Sequence, residues 1–155
     1  MLTRTAFALL LTLAGVGETQ AAGRIYCAVD DAYIKMSLES GFDAAGGNKL
    51  IHFRGALTLK DSKVPGLIET MLLNSGMLRQ RWMDGKDLRL LVYSETSGAG
   101  PFAALELTIE TSATASDPNR FEGRYAMVIE TAEKKSSTPR GTAMSREGNL
   151  VCEIK

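Results

Sequence analysis

One histidine, two cysteines and eighteen acidic side chains are the groups from which this chain could assemble a reactive centre. A metal site or a histidine-based triad needs several partners brought together. His52 is the only histidine, and alternation sets it outward between Ile51 and Phe53, so it reads as a surface strand residue. Two carboxylates at a defined separation hydrolyse glycosides. Asp30-Asp31 is an adjacent pair at a turn, and Glu106 and Glu110 fall on outward strand positions; a solvated face accounts for all four. Asp30-Asp31 and Asp117-Pro118-Asn119 lack the spacing of a dedicated calcium loop. No serine lies in a Gly-x-Ser-x-Gly setting, and no glycine-rich phosphate loop opens a helix. Lys134-Lys135-Ser136, the one place for a Ser-Lys pair, sits in a polar loop. The expectation is therefore no catalytic residue, no metal and no cofactor.

The cysteines carry a different chemistry. Cys27 and Cys152 stand near the two ends of the chain and form no Cys-x-x-Cys motif. Activated thiols need such a motif or an electropositive setting. In an oxidising compartment a structural disulfide is the default.

The compartment is read from the start of the chain. Arg4 precedes an apolar run from Ala6 to Val16, and a short polar stretch leads to Ala21 and Ala22. A charge, an apolar middle and small residues at the cut site make a secretory signal. Residues 1–21 are expected to be removed, leaving 22–155 as a single domain. The apolar run is shorter than the roughly 20 residues a membrane span needs, and no later segment is apolar enough. The expected location is periplasmic or secreted. Residues 1–21 hold one Arg and one Glu, so the chain from 22 onward stays formally neutral like the whole. Neutrality argues against a nucleic-acid partner, which selects a basic excess.

Period-two alternation dominates the rest. Ile25, Cys27 and Val29 share one face, as do Ile34, Met36 and Leu38. Ile51, Phe53, Leu57 and Leu59 face in on the next strand, with Gly55 among them marking a bend or close backbone approach. Leu105, Leu107 and Ile109 face in, then Tyr125, Met127 and Ile129. Thr142–Ser145 and Leu150–Ile154 suggest a hairpin around Glu147-Gly148. Residues 65–75 fit a short helix between Pro65 and Gly76 better than a strand. About eight or nine strands, with the two cysteine strands adjacent, predict an all-β fold: one antiparallel barrel or a nearly closed sandwich. An outer-membrane barrel is disfavoured because the outward positions are charged and aromatics are few.

The sharpest local signal is Met77 to Tyr93, a hairpin around Asp84-Gly85. A three-residue loop of Met83, Asp84 and Gly85 gathers Leu78, Trp82, Leu88, Leu90 and Val92 on the core face. It leaves Gln80 misplaced there. The same register sets Arg79, Arg81 and Arg89 outward near Tyr93, Met77 and Leu91. Arginine beside exposed aromatic and aliphatic surface is typical of binding faces, so Arg79, Arg81, Arg89 and Tyr93 form a candidate interaction surface. The plainer reading is that these arginines pair with Asp87 and other acids.

Three classes of function follow. The first is a non-catalytic binding or interaction protein of the cell envelope, including an inhibitor of an envelope enzyme. The second is a small-molecule carrier with its ligand in a barrel mouth, lined by Gly55 and Gln80. The third and least favoured is an enzyme with a non-obvious acid site. The partner is a protein or a small ligand; the sequence identifies neither.

Overall fold

A computed structural model of the chain describes residues 23–43, 49–60, 70–97, 102–132 and 141–155. The signal segment lies outside these residues, as do Lys134, Lys135 and Ser136. Nine strands occur in chain order: β1 (Arg24–Asp30), β2 (Ile34–Phe42), β3 (Leu50–Leu59), β4 (Thr70–Asn74), β5 (Leu78–Asp84), β6 (Asp87–Glu95), β7 (Phe102–Ala113), β8 (Arg120–Ala132) and β9 (Gly141–Ile154). No helix occurs among the described residues. Thr70–Asn74, assigned to a helix by the Pro65/Gly76 punctuation, is a strand; the rest of that stretch lies outside the described residues.

All pairings are antiparallel, in the order β4-β3-β2-β1-β9-β8-β7-β6-β5, and the sheet curls into a nearly closed barrel. Only β4 and β5 lack a second strand neighbour among the described residues. They are consecutive in the chain and joined by a tight turn, in which the Met77 amide donates to the Asn74 carbonyl at 3.0 Å. Elsewhere every strand satisfies its backbone on both sides, as barrel closure allows.

Cys27 and Cys152 are directly opposed across β1 and β9 and joined by a disulfide, with α-carbons 4.0 Å apart. Both are buried. The first and last strands are thus tied where the barrel depends on its longest-range pairing. The inward positions of all nine strands merge into one apolar cluster. Phe121, Tyr125, Met127, Ile129, Leu105, Leu107, Ile109, Ile34 and Leu57 are among its most deeply buried members. Burying each such side chain contributes about 1.5–3 kcal/mol, and a one-residue slip would expose a whole row.

Three register shifts interrupt simple alternation; one leaves Ala143 as an extra residue in β9, and the other two move side chains singled out above. In β3, His52 has φ of 54°, and His52 with Phe53 occupies the place opposite Ser40 alone. The parity shifts there, so Leu50 and Phe53 are buried while Ile51 is only half-buried and His52 is exposed. Inward-facing Ser40 compensates by donating its hydroxyl to the Ile51 carbonyl at 2.9 Å. Asn, Asp and His tolerate this left-handed region better than most residues.

The second bulge lies at Arg79 in β5 and combines with a different turn from the one expected. Asp84 opposes Asp87, leaving a two-residue loop, Gly85-Lys86, with Gly85 at φ of 55°. A positive φ at the first loop residue alone is the type II′ pattern, which matches strand twist. Met83 therefore opposes Leu88, Arg81 opposes Leu90 and Trp82 opposes Arg89. Trp82 is not in the core; half its surface is exposed. Gln80 opposes Leu91 on the outer face rather than lining the interior.

The expected C-terminal hairpin is a single strand. Gly148 continues the β9 ladder opposite Tyr125. A β-carbon there would stand 2.6 Å from Asp31 Oδ2 and 2.7 Å from Tyr125 Cε1. The glycine makes room for a ring, not a turn. Gly55 matches its expectation of close approach: a β-carbon would lie 2.5 Å from the Ser37 carbonyl oxygen.

Candidate functional site

The outside of β1, β2, β3 and β4 carries a depression whose floor is set by residue size. Directly opposed residues form a row across five strands: Val151, Ala28, Ser37, Ala56 and Leu72. Three of the five are small. The rows two residues away along the strands carry longer side chains. One rim runs Glu153, Tyr26, Glu39, Arg54 and Asn74. The other runs Asp30, Lys35, Thr58 and Thr70. Short residues between long ones leave two open cavities of about 420 and 390 Å³, one along each rim, which share Ser37 and Ala56. They form one trough. Spanning β1 to β4, it is about 14 Å long by strand spacing, and rise per residue sets its rims about 13 Å apart. Leu72, 75 % exposed, stands at its end.

Each rim holds a carboxylate shared by two cations. Glu39 lies 3.5 Å from Arg24 and is also bound by Arg54. Asp30 accepts from Lys60 at 2.5 Å and lies 3.9 Å from Lys35. The Lys60 ammonium holds the Asp30 carboxyl below its ordinary value, first by hydrogen bonding and then by charge.

The neighbouring Asp31 is built into the fold. Its Oδ1 accepts from the Tyr33 amide at 2.8 Å and the Ile34 amide at 2.9 Å, the Asx arrangement that shapes the β1–β2 turn. Its Oδ2 accepts from the buried Tyr125 hydroxyl at 2.6 Å. Burial opposes ionisation of Asp31, but the Tyr125 hydroxyl, the two amides and Lys60 outweigh it, and the pKa falls. Tyr125 shifts upward, through burial first and the Asp31 carboxylate second. Arg146 lies over the Tyr33 ring, 5.1 Å from its centroid. Perturbed groups gathered together mark functional sites in some proteins. Here the Tyr125 bond ties β8 to the β1–β2 turn, and the two amide bonds shape that turn itself.

The arginines of the hairpin separate. Arg79 and Arg89 lie on the outer face with Tyr93, whereas Arg81 falls on the opposite side of the strand, across from Leu90. The cause is the Gly85-Lys86 turn. Arg79 stacks over Tyr93 at 5.7 Å, and the Tyr93 hydroxyl donates to Glu95 at 2.8 Å. Arg89 donates to the Thr111 carbonyl at 3.1 Å and lies 3.9 Å from Asp87. Trp82 joins this face in place of Arg81. Glu110 pairs with Arg124 at 3.2 Å, and no group of three His, Cys, Asp or Glu side chains among the described residues could hold a metal.

The trough was not visible in the sequence. Ala28, Ser37 and Ala56 carry no chemistry of their own, and their adjacency depends on the register of five strands. Their shared outward parity was the one available signal. Compared with known protein families, curated proteins and solved structures, the chain matches none of them.

Proposed function

We propose that this protein is an exported, non-catalytic binding protein of the cell envelope that engages a partner protein through its outer surface. The observation that carries the reading is the trough: a concavity on the outside of a barrel whose inside is occupied by its own side chains. Ligand sites in barrels of this kind lie in the mouth or interior. The continuous core from Ile25 to Cys152 weighs against a small molecule held there. The structural use of Asp31 and the ion pairing of Asp30 and Glu110 weigh against acid catalysis. Inhibition of an envelope enzyme is one form this binding would take. Export is supported by the pattern of residues 1–21 and by a buried disulfide, a bond that persists in oxidising compartments.

Native mass spectrometry of the protein from its own extracytoplasmic fraction tests the reading. The expected mass is that of residues 22–155 with an oxidised cysteine pair and no retained small molecule. A persistent extra mass of small-molecule size would move the assignment to a carrier.

A further inference from the structure

We infer that the trough receives an extended, acidic segment of the partner protein; this rests on the binding reading above and names the partner's chemistry. Size excludes the main alternative. An α-helix with side chains is about 10–12 Å across, nearly the full backbone separation of the rims, and the rim side chains occupy part of that width. An extended chain fits between them, and the trough's length corresponds to about four extended residues. Its successive side chains point to opposite sides, so neighbouring residues of the segment face opposite rims.

Charge selects the sign. Arg24 and Arg54 share Glu39, and Lys35 and Lys60 share Asp30. The first cluster has one cation more than it has carboxylates; in the second, Lys60 also faces the Asp31 carboxylate, so two cations meet two carboxylates. Glu153, farther along the first rim, is balanced by Arg120 at 3.3 Å and Lys155 at 3.1 Å, with Arg120 also holding Glu122. Asp31, beside the second rim, accepts from Tyr125 and the turn amides but keeps its negative charge, so the cation excess that selects an acidic segment lies on the first rim, at Arg24 and Arg54. The cations nearest the floor are the most exposed of the four: the Arg54 and Lys35 side chains are 68 % and 70 % exposed. Exposed ion pairs are worth little, so both cations can turn to an incoming carboxylate at small cost. Such rim charges set register and association rate more than affinity. The small floor lets the segment's backbone approach the sheet, and Leu72 offers an apolar contact at the end.

The test uses the full mature protein, labelled for amide NMR. The probe is an N-acetylated, C-amidated pentapeptide with two adjacent glutamates and a terminal leucine; its dilysine counterpart is the control. The expected result is shift changes at Ala28, Ser37, Ala56 and Leu72 with the acidic peptide, and about tenfold weaker binding of the basic one. Charge reversal in Arg54→Glu with Lys35→Glu is expected to invert that preference. Equal binding of both peptides, shifts confined to another face, or none at millimolar peptide overturns the inference. Crosslinking from Leu72 to a partner protein in that case would leave the binding reading standing; its absence as well would remove both.

Discussion

The Tyr125 hydroxyl donates to Asp31 Oδ2 at 2.6 Å across 94 residues of sequence. It joins the inner face of β8 to the β1–β2 turn. Asp31 has a lowered pKa, so its contribution is complete above the ordinary carboxylate value of 3.8 and is lost as pH falls through the lower folded value. Tyr125 has a raised pKa, so its contribution is complete below the ordinary tyrosine value of 10.0 and is lost as pH rises beyond it. Tyr125→Phe removes a hydrogen bond to a charged group, a loss of about 1.5–3 kcal/mol. Urea unfolding across pH is expected to show that loss at neutral pH and a flatter decline above pH 10.0 in the variant. Equal stability of the two proteins would show the bond to be idle.

The disulfide closes a loop of 125 residues. Removing a native disulfide from a small exported domain costs about 2–5 kcal/mol. The Cys27→Ala, Cys152→Ala protein is expected to unfold at lower urea by that amount, and a reductant is expected to shift the parent alone. A parent insensitive to reductant after complete reduction, verified by thiol labelling, would contradict the structural role.

Trp82 is the only tryptophan, so emission reports the hairpin register directly. With Trp82 opposite Arg89 and half-exposed, native emission is expected near that of the unfolded chain and readily quenched by acrylamide. Blue-shifted, protected emission would restore the three-residue loop with Trp82 inside.

A β-carbon on Gly123 would lie 2.0 Å from the Glu110 carbonyl oxygen and 2.7 Å from Thr111 Cα, both backbone atoms that cannot step aside. Gly141 has nothing within 4 Å. Gly123→Ala is expected to lose about 3 kcal/mol or more, and Gly141→Ala to stay within about 0.5 kcal/mol. Thermal melts of the pair decide it; similar losses would mean that β7 and β8 are not so closely opposed.

Alternation carried most of the fold. On β1, β2 and β8 the inward residues follow a strict period of two, since one face is packed and the other is wet. The exceptions sit at backbone irregularities that apolar pattern alone does not encode. His52 inserts an extra residue and trades Ile51 for Leu50. Gly85 allows a two-residue turn, so Trp82 and Arg81 exchange faces. Gly148 looked like a turn because the ring that fills its place, Tyr125, comes from another strand. The cysteine pairing was legible because two cysteines admit one partner each. The trough was not, because it is made from what its side chains lack.

Photocrosslinking tests the central claim, that the trough is the working surface. A benzophenone side chain is placed at Leu72, at the trough's end, and at Ala126, exposed on the outer face of β8. Each variant is expressed in its own host and irradiated in the extracytoplasmic fraction. The expected result is a discrete protein adduct from position 72 that is absent from position 126 and is lost when Arg54 and Lys35 are reversed in charge. No adduct at 72, or the same adduct from both positions, would contradict a binding role for this face.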